Sequence, residues 1–398
     1  MILFLGSGVS LASGLPSVMT ISEQLLEEAY YYDPADSGFF CAAGDEKDHH
    51  VKALDKEQQL LRILAKIDKH YLDAAGPYVS GASFKRSGSI YRSMTSYEDL
   101  FQMCTQIKQN GLGLTEDAMT GAFVDKVERD AEGLLDGDRV EERLISLYHL
   151  ASRAAAFIEW LVAEYLETDT IKGLDLVVEL AQSSSIEKLD IITLNHDMLV
   201  EQLLRKNGIP FVDGFGAADG DLRFFDDRAY DTTSAKVRIL KPHGSVDWYR
   251  VRGVSYPAVF HGSNLYDCRL ASGEQKHIDI KTPAFLSGPG KILTYNRGIF
   301  SEIFYRMHHA FRQNRSLVMS GYGWGDTALN FRIVNWLGYS DQNAMLLLHR
   351  NSEELIDRSM QLDEVYRAYV EKKRIVVNNR WLSETNLADV TSFIERSV

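Results

Sequence analysis

A doubly wound α/β fold, with a parallel sheet and a large inserted helical subdomain, is the architecture this sequence predicts. Three observations lead there. Ile2 to Leu5 form a four-residue apolar run that stops at Gly6-Ser7-Gly8, the pattern of a buried strand reaching a tight turn. Later apolar runs of the same kind end at Asn195-His196-Asp197, at His243-Gly244 and at Gly321-Tyr322-Gly323. Between the first and second of these runs, roughly residues 45 to 180 are helical in pattern almost throughout. The expected division is therefore 1–44 with 181–398 as the sheet-bearing domain and 45–180 as the insertion.

The bulk properties agree with such a chain. At 398 residues it exceeds the usual size of a single core, and 45% apolar content supports a large buried interior. No stretch approaches 18 uninterrupted apolar residues, so no membrane span is expected. With core expected from residue 2 onward, no signal or transit peptide is expected. Cys41, Cys104 and Cys268 are an odd number, widely spaced, with no C-x-x-C pair. That usage predicts a reduced, cytoplasmic setting and argues against a structural zinc site. A formal charge of −13 repels polyanions on average, so nucleic acid is not expected as a direct partner.

Taken in order, the first strand and glycine turn lead to a helical run from Val18 to Leu26. Gly6 and Gly8 are required there either for close approach of a ligand or for a turn with positive φ. The spacing is not G-x-G-x-x-G, because position 11 is leucine, and no G-K-S/T follows as a P-loop needs. Residues 30 to 50 read as a loop broken by Pro34, Gly38 and Gly44. A helix follows over 51–72, then an exposed Gly/Ser-rich stretch with Lys85, Arg86 and Arg92 as a modestly basic loop. Ser96 or Thr95, with Glu98 and Asp99 in the first turn, supplies the capping chemistry of the next helix, and Gly111 to Thr120 reads as a loop. Arg143 to Leu166 keeps the 3.6-residue period over six turns.

The sheet resumes at Leu189, followed by a helix closed by Gly208. Strands are predicted at 237–240, 316–320, 344–348 and 374–377, and helices at 299–313, 326–337, 352–370 and 384–396. Residues 211–228 read as a long loop, and 251–291 as loops with small strands. No internal repeat or low-complexity tract occurs.

In a doubly wound sheet, loops at the carboxyl ends of the strands converge where ligands bind. Four such ends here carry polar or glycine-rich residues. Read in isolation, several positions keep two roles open. Asn195 either caps the helix that starts at Met198 or faces a ligand. His243, after Pro242, is a turn histidine or a proton-exchanging group. Asp326 caps its helix, contacts a ligand, or does both. His196 reads as structural, and Trp248 and Trp324 either wall a pocket or pack in the core. The adjacent pairs His49-His50 and His308-His309 lack the i, i+4 spacing of a helical metal site.

The motifs GSGVS…SGLPS, TLNHD, KPHGSVDW and SGYGWGD resemble, in order, those of the SIR2 (sirtuin-like) superfamily, and especially its bacterial NAD-consuming branch. The resemblance covers roughly residues 1–28 and 188–350 and implies a Rossmann-like fold. It implies that Gly6, Ser7, Gly8 and Ser10 surround the NAD pyrophosphate and that Pro16 is the proline after the family's small-helix turn. It places Asn195 and Asp197 at the nicotinamide ribose and pocket, and His243 as the catalytic histidine. Gly321 falls beside the adenosine ribose, with Asp326 at a later acidic position of the same motif. The chain departs from the family's protein deacylases at Ser17-Val18-Met19, where they carry Asp-Phe-Arg. It also has only Cys268 where they carry a four-cysteine zinc module.

The resemblance implies an NAD+ hydrolase that uses NAD+ as substrate, needs no metal and releases nicotinamide and ADP-ribose. In that branch such enzymes act as effectors of anti-phage defence, causing abortive infection by NAD+ depletion. The insertion is then the expected place for homo-oligomer contacts or for a partner protein such as a HerA-like ATPase, through which alone nucleic acid would enter. Two other readings are an NAD-dependent protein deacylase or ADP-ribosyltransferase, and a nucleotide-sensing scaffold subunit.

Overall fold

Short apolar runs become central strands when both faces of the sheet are covered. The strands Ile2–Leu5, Leu189–Thr193, Val237–Leu240, Ser316–Ser320 and Ala344–Leu348 are buried at every residue. The computed structural model describes residues 1–27, 30–33, 39–42, 52–79, 95–114, 117–278, 282–287, 295–356 and 359–397.

Seven strands form one sheet in the order Ile375–Asn378, Ala344–Leu348, Ser316–Ser320, Ile2–Leu5, Leu189–Thr193, Val237–Leu240, Phe211–Val212. Every neighbouring pair is parallel. Ile2, Phe4, Ile192 and Met319 pack on one face against the helices Gly298–Gln313 and Thr327–Tyr339. Leu3, Leu5, Ile191 and Val318 pack on the other against Asp175–Gln182, Leu199–Lys206 and Leu387–Ser397. This is a Rossmann-like α/β fold. The chain builds one side of Ile2–Leu5 first and returns to build the other from Ser316–Ser320. The topological switch point therefore lies between those two strands.

The helices Val18–Glu27, Asp55–Val79, Tyr97–Gly111, Ala118–Asp130 and Val140–Tyr165 share a separate apolar core, which includes Leu61, Leu100, Ala151 and Phe157. The helix Tyr97–Gly111 begins with a reciprocal capping box. The Asp99 amide donates to Ser96 Oγ at 3.3 Å, and the Ser96 amide donates to Asp99 Oδ2 at 3.1 Å. Ser96→Ala is expected to lower stability by about 1 kcal/mol, read as a shifted urea midpoint with unchanged slope.

Several elements differ from the sequence reading. Within 30–50, Tyr30–Asp33 and Phe39–Ala42 are strands of a small antiparallel sheet completed by Lys52–Ala53. Aromatic β-formers there outweigh the Pro and Gly punctuation between them. The helix expected to end at 72 runs on to Val79, and the basic loop at 85–92 lies outside the described residues. Inside the expected loop 211–228, Leu222–Phe224 pairs with Ala258–Phe260, which also pairs with Trp248–Tyr249. The single helix expected over 352–370 is two, Ser352–Ile356 and Met360–Glu371. Among the described residues, no helix is long and apolar enough to cross a membrane.

Candidate active site

The switch point is built from glycines packed back to back. The Gly6 amide donates to Ser320 O at 3.0 Å and the Gly8 amide to Gly321 O at 2.9 Å. A Cβ on Gly6 would lie 2.5 Å from Tyr322 Cα. On Gly321, whose φ is +70°, it would lie 2.6 Å from the Val9 amide nitrogen. Gly6 itself has φ −117°, so it needs no left-handed conformation. The glycines are thus required by the approach of two loops to each other. This corrects one of the two reasons read from the sequence, positive φ at Gly6 and Gly8, and adds loop–loop packing to the other, close approach of a ligand.

Beside this junction lies a cavity of about 420 Å³, lined in part by Gly6, Ser7, Ser10, Pro16, Asn195, Asp197, His243 and Asp326. These residues come from three strand ends and the start of the helix Thr327–Tyr339. Gly8 and Gly321 are absent from that lining. They line an adjoining cavity of about 550 Å³, which shares Ser7, Tyr322 and Gly323 with the first and reaches His349 and Trp381.

Asn195, Ser10 and Asp197 form a buried chain. Asn195 Nδ2 donates to Gly6 O at 3.2 Å and to Ser10 Oγ at 2.9 Å. Ser10 Oγ donates in turn to Asp197 Oδ2 at 2.7 Å. Asp197 Oδ1 accepts the Leu199 amide at 3.1 Å, so Asp197, and not Asn195, bonds to the start of the following helix, whose N-cap position is Met198. Lys241, buried, closes the network from below. Its ammonium donates to Asp197 O at 2.5 Å and pairs with Glu201 at 3.2 Å. Both Asn195 amide hydrogens are therefore engaged, while its Oδ1 is buried without a hydrogen-bond partner. A buried, unsatisfied acceptor in a cavity wall is costly unless something brought into the cavity donates to it.

His243 follows the strand Val237–Leu240, and Gly244 next to it has φ +81° where the loop passes the backbone of Ala284 and Phe285. The His243 ring is buried, with Nε2 2.6 Å from Tyr295 Oη and 3.1 Å from Asp326 Oδ2. Tyr295 Oη donates to the same Asp326 oxygen at 2.7 Å. Asp326 Oδ1 accepts the Leu329 amide at 3.1 Å, so this carboxylate caps its helix as well. Burial, with the charge of Asp326 beside it, pushes the Tyr295 phenol far above its usual range, so it stays a protonated donor.

Sequence reasoning missed several wall residues. Tyr97 and Glu98, at the start of a helix in the helical core, and Leu166 all line the 420 Å³ cavity. His196, read as structural, lines it too, its ring 4.4 Å from Phe285 and 6.2 Å from His243. Trp248 and Trp324 are buried core residues and form no part of either cavity's lining. Among the described residues, no group of three or more His, Cys, Asp or Glu is arranged to hold a metal ion.

Residues 190–377 match the family model of the SIR2-like domain. The match supports placement in the SIR2-like superfamily, whose members are NAD-dependent enzymes. It spans a little under half of the chain and contains Asn195, Asp197, His243, Gly321 and Asp326, while Gly6 to Pro16 precede it. No curated protein matches the chain.

Proposed function

We propose that the chain is an NAD+ hydrolase that cleaves the nicotinamide–ribose bond and releases nicotinamide and ADP-ribose. The observation that carries this reading is the pinned Asn195 amide, with Oδ1 unpartnered, in the same cavity as His243. A hydroxyl or water donating to that oxygen would be held in one direction beside the histidine. The SIR2-like match makes the ribose of NAD+ the natural source of such a hydroxyl.

In the reaction, the C–N bond to nicotinamide breaks, its electron pair leaves with nicotinamide, and positive charge develops at the ribose. Water adds to the ribose carbon and loses one proton. Asn195 orients the hydroxyl or the water, and His243 accepts or relays the proton. The nicotinamide–ribose half lies in the 420 Å³ cavity and the adenosine half in the adjoining one, across Ser7, Gly8 and Gly321. Under this reading the helical segment 45–180 carries oligomer contacts or docks a separate protein that restrains the activity, as expected of an anti-phage effector. A HerA-like ATPase is one candidate.

A second reading, transfer to another substrate, rests on a third cavity of about 460 Å³, lined by Trp160, Glu164, Asp247, Tyr249 and Phe260. It shares Leu166 with the candidate site. The two readings separate in one assay. NAD+ loss is followed over time with product identification, using protein alone and then with an acetylated peptide. Loss without peptide, giving free ADP-ribose, supports the hydrolase. Loss only with peptide moves the assignment to deacylation or transfer, and no loss in either arm contradicts both for the isolated chain.

A further inference from the structure

We infer that Glu159, in the helical core, is a positioning residue for His243 and acts through the segment 282–287, which it anchors. The inference rests on the reading of His243 as the group that accepts or relays the proton. Glu159 belongs to the helix Val140–Tyr165, in a buried stretch that also holds Phe157, Ile158, Leu161 and Val162. A carboxyl group is costly in such a place unless it is hydrogen-bonded. Thr282 Oγ1, also buried, donates to Glu159 Oε2 at 2.8 Å across 123 positions of sequence.

From that anchor the chain runs beside the loop that carries His243. The Ala284 amide donates to Trp248 O at 2.6 Å, and the Leu286 amide donates to His243 O at 2.7 Å. Phe285 forms an antiparallel bridge with Gly244. A Cβ on Gly244 would lie 2.5 Å from Ala284 O, so the two backbones are in direct contact. Phe285 itself packs in the helical core, and its ring centroid lies 4.4 Å from that of His196 in the cavity wall. Thr282 and Phe285 thus tie the segment to the helices, while Ala284 and Leu286 tie it to the backbone of Trp248 and His243. Where the helix Val140–Tyr165 sets this segment therefore fixes where the His243 backbone stands. Misplacing a reacting group by about 1 Å can cost about 10²-fold in rate. A tie that prevents such shifts contributes to kcat and little to substrate binding.

The test uses the full-length protein. Thr282→Val removes the donor and leaves the buried carboxyl without it. Glu159→Met combined with Thr282→Val removes both polar groups at similar volume, an exchange that is close to neutral for stability. Glu159→Gln keeps a side-chain carbonyl for Thr282. If the pair only stabilised the fold, kcat would recover in the double variant together with the melting temperature. The positioning role predicts instead that kcat for NAD+ stays about 10-fold below wild type in the double variant, with KM little changed. Glu159→Gln is expected to keep kcat within about threefold of wild type. Wild-type kcat in the double variant overturns the inference, as does Glu159→Gln impaired as much as the double variant. Histidine ring NMR signals, with His243→Gln identifying those of His243, give a readout that needs no turnover. The His243 signals are expected to move in the double variant, and unchanged signals there overturn the inference. Absence of NAD+ cleavage in wild type counts against the hydrolase reading and leaves the ring signals to decide the role of Glu159.

Discussion

His243→Ala is expected to lower NAD+ turnover by about 10²- to 10⁴-fold, the usual contribution of a positioned acid–base group, equivalent to roughly 3 to 5 kcal/mol of barrier. Asn195→Ala is expected to lose about 10²-fold or more, because it removes both the orphan acceptor and the two bonds that tie the loop to Gly6 and Ser10. The variants should differ in stability. His243→Ala leaves Tyr295 still donating to Asp326. Asn195→Ala removes the donor that tethers it to Gly6 O in a buried setting and should lower the melting temperature as well. Initial rates at saturating NAD+, with thermal unfolding of each variant, check both statements. Turnover within threefold of wild type in either variant would remove that residue from the chemistry.

The largest stability effect is expected at the junction of the two glycine loops. Gly321→Ala places a side chain at φ +70° and sets its Cβ 2.6 Å from the Val9 amide nitrogen and 2.7 Å from Gly6 O. Backbone atoms have no rotamer by which to yield. The left-handed conformation alone costs about 1–2 kcal/mol, and parting the loops brings the total above about 3 kcal/mol. Gly14 is the internal control. Its φ is +87°, but nothing lies within 4 Å of its would-be Cβ, so Gly14→Ala should cost only the conformational part, about 1–2 kcal/mol. Urea unfolding of the two variants measures the difference. Equal losses would show that loop–loop contact contributes little.

The central sheet was legible because its strands are short apolar runs ended by polar or glycine residues, and such runs fold the same way wherever both faces are covered. Val237–Leu240, Ser316–Ser320 and Ala344–Leu348 have the limits their patterns predict. The candidate site was legible only where a residue sits at a strand end. Tyr295 lies 52 positions from His243 in a segment without any motif, and no local pattern connects them. Tyr97 and Glu98 begin a helix whose capping chemistry is readable, but their place in the wall of a cavity at distant strand ends is a tertiary fact. The reason for Gly6 was likewise hidden, since the partner that excludes a side chain is the backbone of residues 321 and 322.

The most direct measurement is a crystal structure of His243→Ala with NAD+ bound. The account predicts the nicotinamide ribose in the cavity lined by Ser10, Asn195 and Asp326, with a ribose hydroxyl about 3 Å from Asn195 Oδ1. The rest of the dinucleotide should pass Ser7 toward Gly8 and Gly321. NAD+ bound elsewhere, or bound there with Asn195 Oδ1 still unpartnered, would contradict it.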